Sequence, residues 1–197
     1  MQPHSSILWR RLDLEGHDAC LLGATDQGWR LEGHALFAHD GQPCSLAYAV
    51  DCDAGWSTRS ARIDGFAGTQ ELHYEAERLA DGQWMLNGVG QAEVAGLVDV
   101  DLGFTPATNL VAVRRFDLGV GMATAAPAAY LAFPELRLTR LDQTYRRLDE
   151  NRYAYAAPAF GYEAILTVSS AGFVLDYPGL WQSAAWAGCP AEDAGLA

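Results

Sequence analysis

Alternation with a period of two, broken at short intervals by Asp-Gly and similar turn signals, governs most of this chain and limits it to a β-rich fold. In WRLEGHALFAHDGQPCSLAYAVDCD, Trp29, Leu31, Gly33, Ala35 and Phe37 fall on one side, and Arg30, Glu32 and His34 on the other. Successive strand side chains point to opposite faces, so a run of this kind is a strand with one face buried. Asp40-Gly41 is a strong hairpin signal, with Leu46 to Asp53 as its returning strand, and Asp64-Gly65 and Asp81-Gly82 read as two further hairpins. Ahead of them, SSILWRRL and HDACLLGAT read as the first two strands. In GWSTRSARIDGF, Trp56, Thr58, Ser60 and Arg62 mark a polar-bearing face, as do Glu71, His73 and Glu75 in the next strand. AAYLAF, ELRLTRLDQTYRRLD, NRYAYAA, GYEAILTVS and GFVLDYP complete the pattern, with Glu150-Asn151 and Ala171-Gly172 as turns. Turns about every 8 to 12 residues predict a sandwich or barrel rather than alternating strands and helices.

One stretch breaks the rule. From Asp99 to Gly121, DVDLGFTPATNLVAVRRFDLGVG reads as a strand, a capped turn and a helix. Thr105 offers a side-chain acceptor to an orphan amide, and Pro106 suits the first helical position. Arg114 and Arg115 fall in the last turn, where cations meet the negative end of the dipole, and Gly119 and Gly121 supply the stop. Ala107, Leu110, Val111, Val113 and Phe116 leave only a narrow polar strip around Asn109 and the two arginines. A helix apolar on most sides is buried on most sides. The remaining strands are therefore expected to be arranged around it.

The formal net charge of -12 argues against phosphate-backbone binding, so no nucleic-acid partner is expected. All 13 basic residues are arginine, which excludes Schiff-base chemistry and a phosphate-loop lysine. No apolar run reaches the roughly 18 residues of a membrane span. MQPHSSILWRRLD lacks a basic region followed by an apolar run, and Cys20, Cys44, Cys52 and Cys189 show no CxxC spacing. Both features lead to the expectation of a cytoplasmic protein with buried, inert thiols. One domain over residues 1–190 is expected, with 191–197 as a flexible tail.

The sequence carries no GxSxG, no GxGxxG after a strand, no HExxH and no Walker loop. Asp51 with Asp53 and Asp99 with Asp101 are acidic pairs at strand spacing, close enough to act together on one face. Strand ends and turn caps use the same residues. The histidines, His4, His17, His34, His39 and His73, offer no two at i, i+2 in one strand, so no metal is expected. A buried Arg114 or Arg115 needs a carboxylate or a ligand, and Asp99 or Asp101 is an obvious partner. Six tryptophans, and tyrosines at 145, 153, 155, 162 and 177, suit a concave surface for sugar faces or acyl chains, and also ordinary core packing.

At DVDLGFTPATNLVAVRR the sequence resembles the bacterial putative glycolipid-binding family, whose motif runs close to DxxFTPATNxxxxRR. VDCDAGWSTR, QTYRRLDENRYAY and VLDYPGLW resemble family segments in the same order, so the resemblance extends from about Trp9 to Trp186. It implies a spiral β-roll, a long antiparallel sheet wrapped around a single central helix, with a tendency to form homodimers. It brings no catalytic residues and no cofactor. The reading that follows is a non-enzymatic protein holding a lipid or glycolipid amphiphile between sheet and helix. Its candidate ligand-binding residues are Asn109, Arg114, Arg115, Trp56, Tyr153 and Tyr155. Two alternatives stand beside it: a small enzyme using Asp99, Asp101 and Arg115, and a structural dimer with no ligand.

Overall fold

The computed structural model describes residues 1–135 and 137–188. The expected tail at 191–197 and Cys189 lie outside the described residues. The first half is a meander of long strands: β1 (Gln2–Arg11), β2 (Gly16–Thr25), β3 (Gly28–His39), β4 (Gln42–Cys52), β5 (Thr58–Ala67) and β6 (Gln70–Arg78), followed by the short β7 (Trp84–Leu86) and β8 (Val89–Gly90). After a 3-10 turn come β9 (Asp99–Leu102) and the helix α1 (Asn109–Phe116). The second half holds β10 (Ala123–Ala125), β11 (Ala128–Ala132), β12 (Arg137–Leu141), β13 (Thr144–Arg147), β14 (Arg152–Ala157), β15 (Tyr162–Val168), β16 (Val174–Tyr177) and β17 (Trp181–Gly188).

Fourteen of these strands form one antiparallel sheet, in the order β10-β13-β14-β15-β16-β17-β1 and then β2 through β8. The β17–β1 pairing joins the two ends of the chain, matching Ser5 with Gly188 and Arg11 with Trp181. Ala187 and Gly188 are therefore part of the sheet. The sheet does not close, since β10 and β8 are its two ends. A second sheet of three strands, β12-β11-β9, lies apart from it, with β9 and β11 parallel. This is the mainly β fold expected, a large antiparallel sheet around one helix.

Alternation does position the core. In β3, Leu31, Ala35 and Phe37 are buried while Glu32, His34 and Leu36 face out. The buried face of the sheet contributes Trp9, Leu46, Val50, Ile63, Trp84 and Leu166 to one continuous core with Leu110, Val111 and Ala112 of the helix. Truncating such a side chain to alanine costs about 2–5 kcal/mol, so the helix cannot be stripped from the sheet without unfolding it.

Four local expectations are corrected. The helix begins at Asn109, not at Pro106, because residues 106–111 first make tighter i to i+3 bonds, with Asn109 N-H donating to the Pro106 carbonyl at 3.3 Å. It ends at Asp117, which takes the left-handed conformation (φ 40°) itself; Gly121 (φ 85°) serves the next turn instead, donating to the Arg147 carbonyl. Asp64-Gly65 is not a hairpin but the interior of β5, and the chain reverses at Gly68-Thr69. Gly65 is there because β4 presses on it: a Cβ would collide with the Ser45 carbonyl. A bulge between Asp51 and Cys52 shifts the register, so Thr58 is buried with Trp56 rather than sharing a face with the exposed Arg62. In addition, ELRLTRLDQTYRRLD is two strands in different sheets, β12 and β13, divided at Asp142-Gln143.

Candidate functional site

The TPATN segment enters the helix through two threonines, and each is tied to a buried or half-buried carboxylate. Thr105 Oγ1 accepts the Ala107 amide at 3.0 Å, the capping role its position predicts, and donates to Asp18 on β2. Asp18 is fully buried and also accepts the Tyr48 hydroxyl, at 3.0 and 3.2 Å. Burial pushes its carboxyl up to about 6, against the lowering effect of those hydrogen bonds. Tyr48 reaches Asp18 because it crosses Gly33, its register partner, where a Cβ would collide with the phenol ring.

Thr108 Oγ1 accepts the Leu102 amide at 3.2 Å and donates to Asp101 at 3.4 Å. Asp101 receives one more bond, from Gln143 Nε2 at 3.5 Å. Both are long for bonds to a carboxylate, which are normally shorter than neutral ones. Burial pushes Asp101 up to about 6, and the negative charge of nearby Asp99 acts in the same direction.

The other half of the acidic pair is differently placed. Asp99 is 2 % exposed and grips Arg115 through two bonds of 2.7 Å, and the Arg115 guanidinium lies 4.0 Å from the centre of the Phe116 ring. Burial raises the Asp99 carboxyl, and Arg115 partly counters it. Asp51 and Asp53 have structural tasks: Asp51 pairs with Arg30, and Asp53 accepts the amides of Gly55 and Ser57. Among the described residues no group of three or more His, Cys, Asp or Glu side chains could hold a metal ion.

A cavity of about 320 Å³ opens beside the start of the helix, between it, the small sheet and β14–β17. Its polar wall is Asp101, Thr105 and Asn109. Its aromatic wall begins with Tyr155, Tyr162 and Tyr177, which stand on β14, β15 and β16 and meet edge to face or tilted at ring separations of 5.4 to 6.2 Å. Tyr130, the register partner of Asp101 on β11, faces Phe160 at 5.4 Å on another side. Gly103 makes room for Tyr130, since a Cβ there would collide with its hydroxyl. Burial raises all four tyrosines, Tyr130 and Tyr162 to about 12, so they stay neutral hydroxyls at any physiological pH. Tyr155 donates to Gln143 Oε1 at 2.7 Å, which links the aromatic wall through Gln143 to Asp101.

The six residues singled out in the sequence do not converge. Asn109 and Tyr155 line this cavity, and Asn109 donates to the Tyr145 hydroxyl at 2.7 Å. Arg114 and Tyr153 line a second cleft, of about 490 Å³, at the other end of the helix, with Arg147 and Trp186. Arg114 also lies 5.3 Å over the ring of Trp56, which stacks on Trp29. Arg115 lines neither. Tyr130 and Phe160 carry no sequence signal for the cavity, and Trp181 stands out only as one of the six tryptophans and as the end of the YPGLW run.

Solved structures resemble the chain. A DUF1089 family protein from Pseudomonas aeruginosa matches with a TM-score of 0.74 at 28% identity, covering 84% of this chain and 91% of that one. A β-barrel-like protein of a domain of unknown function, DUF1849, from Brucella abortus shares the fold, with a TM-score of 0.56 at 11% identity over 96% of this chain and 99% of that one. No curated protein matches. The family model described as "Putative glycolipid-binding" matches residues 6–183, a span that contains the sheet, the TPATN helix and the aromatic cavity, and the chain therefore belongs to that family.

Proposed function

We propose that this protein binds an amphiphile without transforming it, seating the head group in the cavity beside Asn109 and Asp101. The observation that carries this reading is the cavity itself: a concave chamber lined mostly by apolar and aromatic residues, with a few convergent polar groups, is the usual form of a small-molecule site. Its volume of about 320 Å³ is near the lower end of such sites, which run from about 300 to 1,000 Å³. That suits one ring or head group and leaves the alkyl chain to run out past Leu180 and the exposed Phe160. The interior under the sheet is filled by Phe104, Leu110, Val111 and their neighbours, so the chain lies at the mouth and not along the core. The family description supports an amphiphile with a sugar-bearing head. Native mass spectrometry of purified protein, followed by organic extraction, tests the reading; repeated recovery of protein free of amphiphile, together with failure to bind added short-chain amphiphiles, would sink it.

One observation favours the enzymatic alternative: Asp101 stands in a cleft with its carboxyl raised to about 6, a range suited to general acid-base work. Against it, Asp99 is committed to Arg115, so no second free carboxylate completes the pair. Release of nitrophenol from a panel of nitrophenyl glycosides and esters, lost in Asp101→Asn, would establish that reading over the first.

A further inference from the structure

The cavity has a charge problem that the fold leaves unsolved. Asp101 forms part of its wall and holds only two long hydrogen bonds, from neutral donors. Among the described residues no Arg, Lys or His lines the chamber. The neighbouring cations are already engaged: Arg115 is bound by both oxygens of Asp99, and Arg11, which lies 5.1 Å over the Trp181 ring, is held by Asp13 at 2.8 and 3.1 Å. A carboxylate removed from water without a counter-charge is unfavourable, and a ligand that brings the charge relieves it.

The rest of the wall selects the same chemistry. Tyr130, Tyr155, Tyr162, Tyr177, Phe160 and Trp181 surround the chamber with aromatic side chains. Aromatic faces carry negative quadrupole density, and several of them about one space attract a cation that has shed its water. An anionic head group meets the opposite: one carboxylate, aromatic rings and, among the described residues, no basic side chain to receive it.

We infer that the group seated in this cavity carries a positive charge, an organic ammonium enclosed by the tyrosines with Asp101 as its counter-ion. The inference rests on the cavity being the head-group site proposed above and narrows its ligand. Two sources share the chemistry, an alkylammonium head and the amine of an amino sugar. Thr105 and Asn109 on the same wall offer polar contacts to the hydroxyls of the latter.

Isothermal titration of the whole chain with four single-chain probes, each below its micelle concentration, tests this: octyltrimethylammonium, octyl glucosaminide, octyl glucoside and octyl phosphate. At about pH 7, where Asp101 is ionised and the amino sugar is still protonated, one or both cationic probes bind at least about tenfold more tightly than octyl glucoside, and octyl phosphate binds weakest. The tighter of the two cations identifies the source. Asp101→Asn brings the cationic and neutral probes to the same affinity. If that variant does not fold, wild-type protein carries the test, because the quaternary probe keeps its charge at every pH while Asp101 does not. Its binding weakens from about pH 8 to about pH 5, and that of octyl glucoside does not follow. Of the other groups facing Asp101, Thr108 and Gln143 do not titrate and the tyrosines stay neutral, while Asp99, whose carboxyl burial also raises, is held on Arg115 and is not part of the cavity wall. Octyl glucoside binding as tightly as the cations overturns the inference and leaves the amphiphile reading standing. Cation preference that survives in Asp101→Asn overturns the role of Asp101. No binding by any probe overturns both.

Discussion

Arg115 holds Asp99 through two bonds of 2.7 Å, tying the last turn of the central helix to β9 of the small sheet. Asp99 is almost wholly enclosed and Arg115 only partly, so removing the arginine strands a carboxylate in the core. Arg115→Met is expected to lower stability by about 3 kcal/mol, within the range for breaking a buried pair. A urea denaturation midpoint reads this directly. The same variant leaves affinity for cavity ligands close to that of wild type, because Arg115 is not part of the cavity wall.

Stability should fall, not rise, as pH increases from about 4 to about 6.5. Asp18 and Asp101 titrate near 3.8 when unfolded and at about 6 in the native fold. Between those values the native state binds protons that the unfolded chain has released, so deprotonation costs more in the fold. The two-unit shift corresponds to about 3 kcal/mol for Asp18, and to somewhat less for Asp101, whose carboxylate faces an open chamber. Asp99 adds in the same direction. Exposed carboxylates held low by arginine, such as Asp64 and Asp149, act oppositely and only at more acidic pH. Midpoints of urea unfolding across this range check the slope, and Asp18→Asn should flatten it; a slope of the opposite sign would refute the burial argument.

Gly33 is required for its neighbour, not for a turn. Its missing side chain lets the Tyr48 ring cross β3 and reach Asp18, and Thr105 Oγ1 lies 3.1 Å from the same hydroxyl. Gly33→Ala is expected to cost about 2–3 kcal/mol, since the buried ring cannot swing aside without leaving its hydrogen bonds. Loss of near-UV dichroism at unchanged far-UV signal would report the displaced tyrosine; a variant as stable as wild type would show the contact to be soft.

These residues also show what was legible in the sequence. Period-two alternation located the long strands and their buried faces, because burial on one side leaves a trace in every second residue. The TPATN run marked the helix entry, because a threonine next to proline has few other uses. Gly65 misled for a physical reason: Asp-Gly signals a hairpin only when nothing else demands the glycine, and here the Ser45 carbonyl does. The split of Arg137 to Arg147 between two sheets left no mark, since both pieces alternate. The cavity was half legible. Asn109 and Tyr155 could be picked by type, but Tyr130 and Asp101 share a wall only because β9 and β11 pair in parallel across 29 residues of sequence. That pairing has no local signature.

Self-association is expected at the free edge of the sheet. β10 ends the large sheet, and Val120 and Met122 beside it are 63 % and 60 % exposed. An unpaired edge flanked by apolar side chains is a template for a second copy. Sedimentation velocity should find a dimer for wild type and a monomer for a Val120→Asp, Met122→Asp double variant. Both positions are exposed, so the fold tolerates the change. An unaltered dimer would move the interface elsewhere.

Trp56 is held where its backbone does not favour it. It sits at φ 68°, a left-handed conformation that is strained for a bulky residue. Its indole lies parallel to Trp29 at 4.8 Å with 12° between planes, and Arg114 covers it at 5.3 Å. Glycine at this position would relieve the backbone by about 1–2 kcal/mol. Burial of the indole outweighs that, since truncating a buried tryptophan costs about 3–5 kcal/mol and the lost cation–π contact about 1 more. Trp56→Gly should therefore destabilise the protein by about 2–5 kcal/mol, and Arg114→Ala by about 1 kcal/mol. The two effects should be less than additive, because Arg114 loses its aromatic partner in the first variant. Closely stacked indoles also give an exciton couplet in the far-UV circular dichroism, and it should vanish in Trp56→Gly and persist in Arg114→Ala. Full additivity would mean that Arg114 draws its stabilisation from the groups around Asp117 and Tyr153 in the outer cleft, and not from the tryptophan beneath it.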